Sequence, residues 1–253
     1  MRITSSAVLL VSLLTAGRLI GQTPATEFWF DDGRPLAKAA LQLERQFGWI
    51  ITYEEPPYHF AADIRDVTAI VRKDKSPAKV LVPNGTPFGL SLDESTRGQT
   101  PDPKAVLHAL VQAYATSGNP GAFRVVAAPP MFHLAPVAMR DVRGLTMAHS
   151  AVLDTPISLP AGRMSLFLVI KEIASAITKA TGVTVIPGMM PLNFMIQTEV
   201  EAGATNLPAR SVLRRILLES GRSLSWQFFS SPTTGQYFLN IHSVSQTASA
   251  RAR

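Results

Sequence analysis

The chain of 253 residues contains no cysteine, which removes disulfides, thiolate nucleophiles and cysteine-ligated metal sites together. Its fold must be held by an apolar core instead of covalent staples. Histidine is sparse as well. His59, His108, His133, His149 and His242 include no pair at metal-ligand spacing, and there is no HExxH. Neither a phosphate loop nor a GxGxxG occurs. The closest approach to a nucleophile elbow, Gly89-Leu90-Ser91-Leu92-Asp93, lacks the second glycine that the strained turn needs. Asp31-Asp32 and Glu54-Glu55 are paired carboxylates, but neighbours on extended backbone point to opposite sides and make poor acid/base partners. The expectation is no catalytic residues, no cofactor and no metal: the chain does not read as an enzyme.

A strong charge of one sign is missing too. The formal charge is +6; without Arg2 and Arg18 it falls to 22 basic against 18 acidic residues, or +4. The basic residues are scattered, so nucleic acid is not an expected partner. The densest spots, Arg72-Lys73-Asp74-Lys75 and the Arg251/Arg253 tail, read as a solvated loop and tail. The longest apolar run near the start, Ala7 to Leu14, is far short of the ~18–20 residues that span a bilayer. With Arg2 before it and Thr15, Ala16 and Gly17 after it, residues 1–25 read as a secretory signal, cut after Gly17, Gly21 or Ala25. An uncleaved anchor is the alternative. The expected location is periplasmic or secreted, with no membrane span after cleavage.

What is present is globular: 46% hydrophobic residues against 17% charged. Amphipathic stripes predict helices over 34–47, 104–117 and 165–181, and a fourth from Pro208 with Asn206 as its N-cap. Gly48, Gly182 and Gly221 stop three of them. Strands are expected at 49–53, 80–82, 88–92, 123–127, 131–137, 183–186 and 194–200. Leu224, Trp226 and Phe228 alternate on one further strand, and Tyr237, Leu239 and Ile241 on its hairpin partner. Met189, Met190 and Met195 read as core filler under the Pro187-Gly188 turn, with an adaptable contact surface as the alternative.

The order helix, strand, helix, strand, strand occurs twice, which predicts an α+β fold of two small modules, each with two helices on a short mixed β-sheet. The modules are placed at 26–141, with a long insertion, and at 161–245; 142–160 is a connector and 246–253 a disordered tail.

The segment Pro35-Leu36-Ala37-Lys38-Ala39-Ala40-Leu41-Gln42-Leu43-Glu44-Arg45-Gln46-Phe47-Gly48 resembles the opening Pro-Leu-x-x-Ala-Leu-x-x-Leu-x-x-x-x-Gly pattern of the short N-terminal (STN-like) domain shared by secretins and TonB-dependent transducers. Val212 to Trp226 resembles its close, with Arg222-Ser223-Leu224-Ser225-Trp226 in place of Gly-Leu-x-Tyr. The resemblance implies two degenerate copies of a periplasmic protein–protein contact module, not a catalyst. Phe229 and Phe238 fall on the opposite parity from Trp226, Phe228 and Tyr237, so the hairpin is apolar on both faces. These five aromatics are the expected interface, beside an exposed edge strand at 237–241. The expected function is an exported, non-catalytic interaction module of the bacterial cell envelope, with an envelope protein as partner. The alternative is a secreted hydrolase or small-ligand-binding protein with its site between the halves.

Overall fold

The computed structural model describes residues 26–72, 78–92 and 101–245; the expected signal segment, the loop at 94–100, Lys73 to Lys75 and the tail from 246 lie outside them. The described residues form an α+β fold. The first half runs β1 (Thr26–Phe30), α1 (Pro35–Phe47), β2 (Ile50–Glu54), β3 (Ile64–Asp66), α2 (Thr68–Val71), β4 (Leu81–Pro83), β5 (Phe88–Leu92), α3 (Pro103–Thr116), β6 (Ala122–Ala128) and β7 (Met131–Arg140). After β8 (Thr146–Ala148), the second half runs β9 (Pro156–Ser165), α4 (Leu166–Thr181), β10 (Val185–Pro187), α5 (Leu192–Gln197), β11 (Glu199–Pro208), α6 (Ala209–Glu219), β12 (Leu224–Ser230) and β13 (Tyr237–Ser243).

Local chemistry accounts for most of these boundaries. Pro35 opens α1, where its missing N–H costs nothing, and Asp102 caps α3 by accepting from Lys104 N and Ala105 N. Gly48 and Gly182 close α1 and α4 in the left-handed conformation, at φ 72° and 74°.

Two local assignments differ from expectation around α5 and α6. The strand expected at 194–200 is instead the short helix α5 followed by β11. Met195 of α5 is buried against the second core, so burial there follows a helical turn. Asn206 is not the N-cap of α6. It lies in β11 at φ 52°, and the helix starts after Pro208 because β11 pairs with β9 as far as Leu207 and Pro208. Strand pairing overrode a favourable cap.

One mixed sheet crosses the molecule in the order β10-β13-β12-β2-β7-β6, with β8 beside β7. The expectation of a separate short sheet in each module is thus corrected. The two halves meet strand to strand, where β12 runs parallel to β2 with Gln227 opposite Tyr53 and Phe228 opposite Glu54. Each half repeats one pairing order. In both, a first strand lies parallel to the last strand of the hairpin, β2 to β7 and β10 to β13, and the hairpin closes antiparallel. In both, an antiparallel pair leads into the two helices: β1 with β5, and β9 with β11.

The helices lie on opposite faces. Trp226, Phe228, Tyr237, Leu239 and Ile241 join the core under α4 and α6. Ile51, Tyr53 and Leu134 belong to the core under α1 and α3. Strand direction also reverses between the halves, so a half-turn about a line across the strands, with a shift along that line, relates them. The expected connector carries β8, a 3₁₀ turn at Val152–Asp154 and the start of β9.

Candidate functional site

Polar side chains converge where the halves meet. β2 ends at Glu54 with Glu55 directly after it, and extended backbone sends the two carboxylates to opposite faces, as the sequence requires. Glu54 accepts from Leu153 N at 3.0 Å and is hydrogen-bonded to Arg210 Nη2, while Arg210 Nε donates to Asp154 at 2.8 Å. Glu55 receives Arg34 Nε on both oxygens at 3.0 Å, the Tyr58 hydroxyl at 2.6 Å and Ser230 N at 2.9 Å. On α1, Glu44 accepts from Ile51 N and pairs with His242 Nε2 at 2.7 Å. Gln227 Nε2 donates to Ala37 O, and Ser225 Oγ to Ile51 O. Glu54–Arg210, Glu55–Ser230, Glu44–His242, Gln227–Ala37 and Ser225–Ile51 join the first half to the second.

Burial dominates the electrostatics. Glu54 and Glu55 are fully buried, and desolvation raises both carboxyls above the ordinary range even against the opposing pull of Arg210 and Arg34. His133, under Trp226 at a ring separation of 5.1 Å, is pushed down to about 3 by burial and by the Arg210 and Arg214 charges. It is held neutral, with Nδ1 2.6 Å from Thr52 Oγ1. Glu44, Glu54 and Glu55 are each occupied by donors and buried, whereas Asp154 is partly exposed. Asp32 takes no part in the seam between the halves; it accepts from Arg34 N ahead of α1. Among the described residues no cluster of three metal-ligating side chains occurs.

The open feature lies on the face of β12 and β13 turned away from α4 and α6. Two cavities share Phe229, Asn240 and Met189 and together form one groove. The first, about 360 Å³, runs along α1 past Glu44, Arg45, Gln227 and His242. The second, about 440 Å³, runs past Arg34, Leu81, Pro187 and Phe238. Arg34 lies over the Phe229 ring at 4.7 Å. Met189 stands between the cavities and is 78% exposed; Leu192 and Ile196 of α5 are exposed as well. Asn240 Oδ1 fixes the Met189 backbone by accepting its N–H at 2.7 Å.

The expected interface residues divide across the sheet. Trp226, Phe228 and Tyr237 are buried in the core under α4 and α6 and present no surface, which corrects their assignment. Alternation had placed them on one face, and the helices of their own half cover that face. Phe229 and Phe238 lie on the other face, half-buried and lining the groove. The expected edge at 237–241 is also corrected: β10 pairs with Tyr237 to Leu239, and Met189 O accepts from Ile241 N. Among the methionines, Met195 is core, whereas Met189 is surface.

Sequence reasoning missed Arg34, Arg210 and Asp154. Adjacent glutamates after the apolar strand WIITY were the available signal, because carboxylates at the end of a buried strand need cationic partners. No family model, curated protein or solved structure matches the chain. No helix among the described residues is long and apolar enough to cross a membrane.

Proposed function

We propose that this chain is an exported, non-catalytic contact module of the bacterial cell envelope, and that the groove through Phe229, Asn240, Met189 and Phe238 receives a protein partner. The observation that carries this reading is the exposed Met189 between two adjoining cavities on a sheet face that no helix of its own half covers. Apolar surface of this kind, rimmed by polar groups such as Arg34 and Asn240, marks contact sites. Methionine adapts to irregular partners. The signal-like residues 1–25 support export, and the resemblance at 35–48 and 212–226 supports a periplasmic contact role for paired STN-like units.

The test is co-purification from crosslinked envelope fractions, comparing the native chain with a Met189→Asp/Phe238→Asp variant. A partner held by the native chain and lost from the folded variant is the expected result. Equal recovery from both contradicts the reading.

A second reading rests on one specific observation. His242 and Glu44 pair at 2.7 Å across the halves and line the 360 Å³ cavity, a size suited to a small ligand. Under that reading the chain is a small-ligand binder or hydrolase, and His242→Ala abolishes binding or turnover while leaving the fold intact.

A further inference from the structure

The two outer edges of the sheet are unlike each other. At the β10 edge, Thr184 O and Gly188 N bond to β13, so the intervening residues that face outward are Val185 and Pro187. The Val185 N–H is taken by Thr178 Oγ1 at 2.9 Å, and Pro187 has none. This edge offers an incoming strand no donor, which is how natural sheets guard an edge.

The β6 edge carries no such guard. β6 pairs only with β7, by a hairpin whose partner for Phe123 is Pro136. Proline cannot donate, so Phe123–Pro136 is a non-bonded pair, and by antiparallel alternation Phe123, Val125 and Ala127 turn their backbone groups outward. Among the described residues nothing else bonds these groups. The strand reads AFRVVAA, and its one charge, Arg124, is already paired with Asp154 at 2.7 Å. The helix over it also carries little charge: the exposed side chains of α3 include Ala105, His108, Ala109, Gln112 and Ala115, and α3 holds one lysine, Lys104, and no Arg, Asp or Glu.

We propose that β6 pairs antiparallel with β6 of a second copy of this chain. A two-fold axis normal to the sheet joins the two β6 edges and brings α3 alongside its counterpart. This occupant satisfies the donors and acceptors of both edges at once. Both ends of the combined sheet are then the guarded β10 edges, so the assembly closes at two copies instead of growing into a fibre. The weak charge of α3 removes the repulsion that two like helix faces would otherwise feel. The inference does not depend on the groove, which lies at the opposite end of the strand order.

The test is sedimentation of the purified full chain over a concentration series, with amide exchange read at Phe123, Val125 and Ala127. A dimer is expected, with these three amides protected in proportion to the dimer fraction. Ala127→Pro removes an outward N–H at an exposed position and should shift the species to monomer with its melting temperature kept. Should that variant fail to fold, the wild-type exchange decides alone. A chain that stays monomeric throughout overturns the proposal. So does a dimer in which the three amides still exchange freely, or one that survives in folded Ala127→Pro.

Discussion

Arg210 of α6 and Glu54 of β2 are hydrogen-bonded to each other in the interior, 156 residues apart in the chain and from opposite halves of the fold. Neither has water to fall back on, and removing Glu54 leaves the buried Arg210 with only its bond to the partly exposed Asp154. Glu54→Ala is predicted to cost about 3–5 kcal/mol, the usual result of breaking a buried pair. Arg124→Ala, which breaks an exposed bond to Asp154, should cost no more than about 1 kcal/mol. Denaturant unfolding of the two variants checks the ordering.

His133 gives the fold a pH dependence of known sign. Its folded value of about 3 lies below the unfolded 6.5, so between those limits the unfolded chain binds more protons than the native one. This contribution is complete above pH 6.5 and lost as pH falls toward 3. One proton corresponds to a slope of about 1.4 kcal/mol per pH unit. The buried Glu54 and Glu55, whose values are raised, act oppositely: their contribution is lost as pH rises from the unfolded value of 4.5 through the folded one. The comparison must therefore be differential. Stability of the wild type minus that of His133→Asn, measured from pH 7 to 4, is predicted to fall on acidification by this slope. A flat difference contradicts the assignment.

Glu44 does two jobs, and the variants should separate them. Glu44→Ala leaves the buried Ile51 N–H without its acceptor, a loss of about 1–3 kcal/mol. His242→Ala removes a partly exposed partner and should cost no more than about 1 kcal/mol. A double-mutant cycle by chemical denaturation measures the coupling.

The two faces of the β12–β13 hairpin should respond differently to truncation. Trp226 is fully buried, and Trp226→Ala is expected to lose about 3–5 kcal/mol. Phe238 is half-buried in the groove, and Phe238→Ala should lose under about 1.5 kcal/mol. Thermal and denaturant melts of both variants test whether the first residue is core and the second is surface.

Much of the local architecture was legible in the sequence, and the exceptions share a cause. Helix stripes, Gly48 and Gly182 as stops, and the alternation of Leu224, Trp226 and Phe228 are local signals, and the structure follows them. Asn206 misled because the pairing of β11 with β9 is set by residues some 50 positions away. The parity of Phe229 and Phe238 correctly indicated a second apolar face. What covers that face was not legible: Arg34 and Tyr53 reach Phe229 from the other half. The seam was hidden for the same reason, since Glu54 meets Leu153, Glu55 meets Ser230 and Glu44 meets His242 only when the two halves come together. Residue type announces a need for a partner, but topology chooses it.

The most direct test of the contact-module account is site-specific photo-crosslinking in cells, with the reactive residue at Phe238 and, as a control, at the exposed Leu168 on α4. The account predicts one defined envelope protein captured from Phe238 and not from Leu168. Its capture should be lost when Met189→Asp is added to the same chain. Capture of nothing from Phe238, or of the same protein equally from both positions, contradicts it.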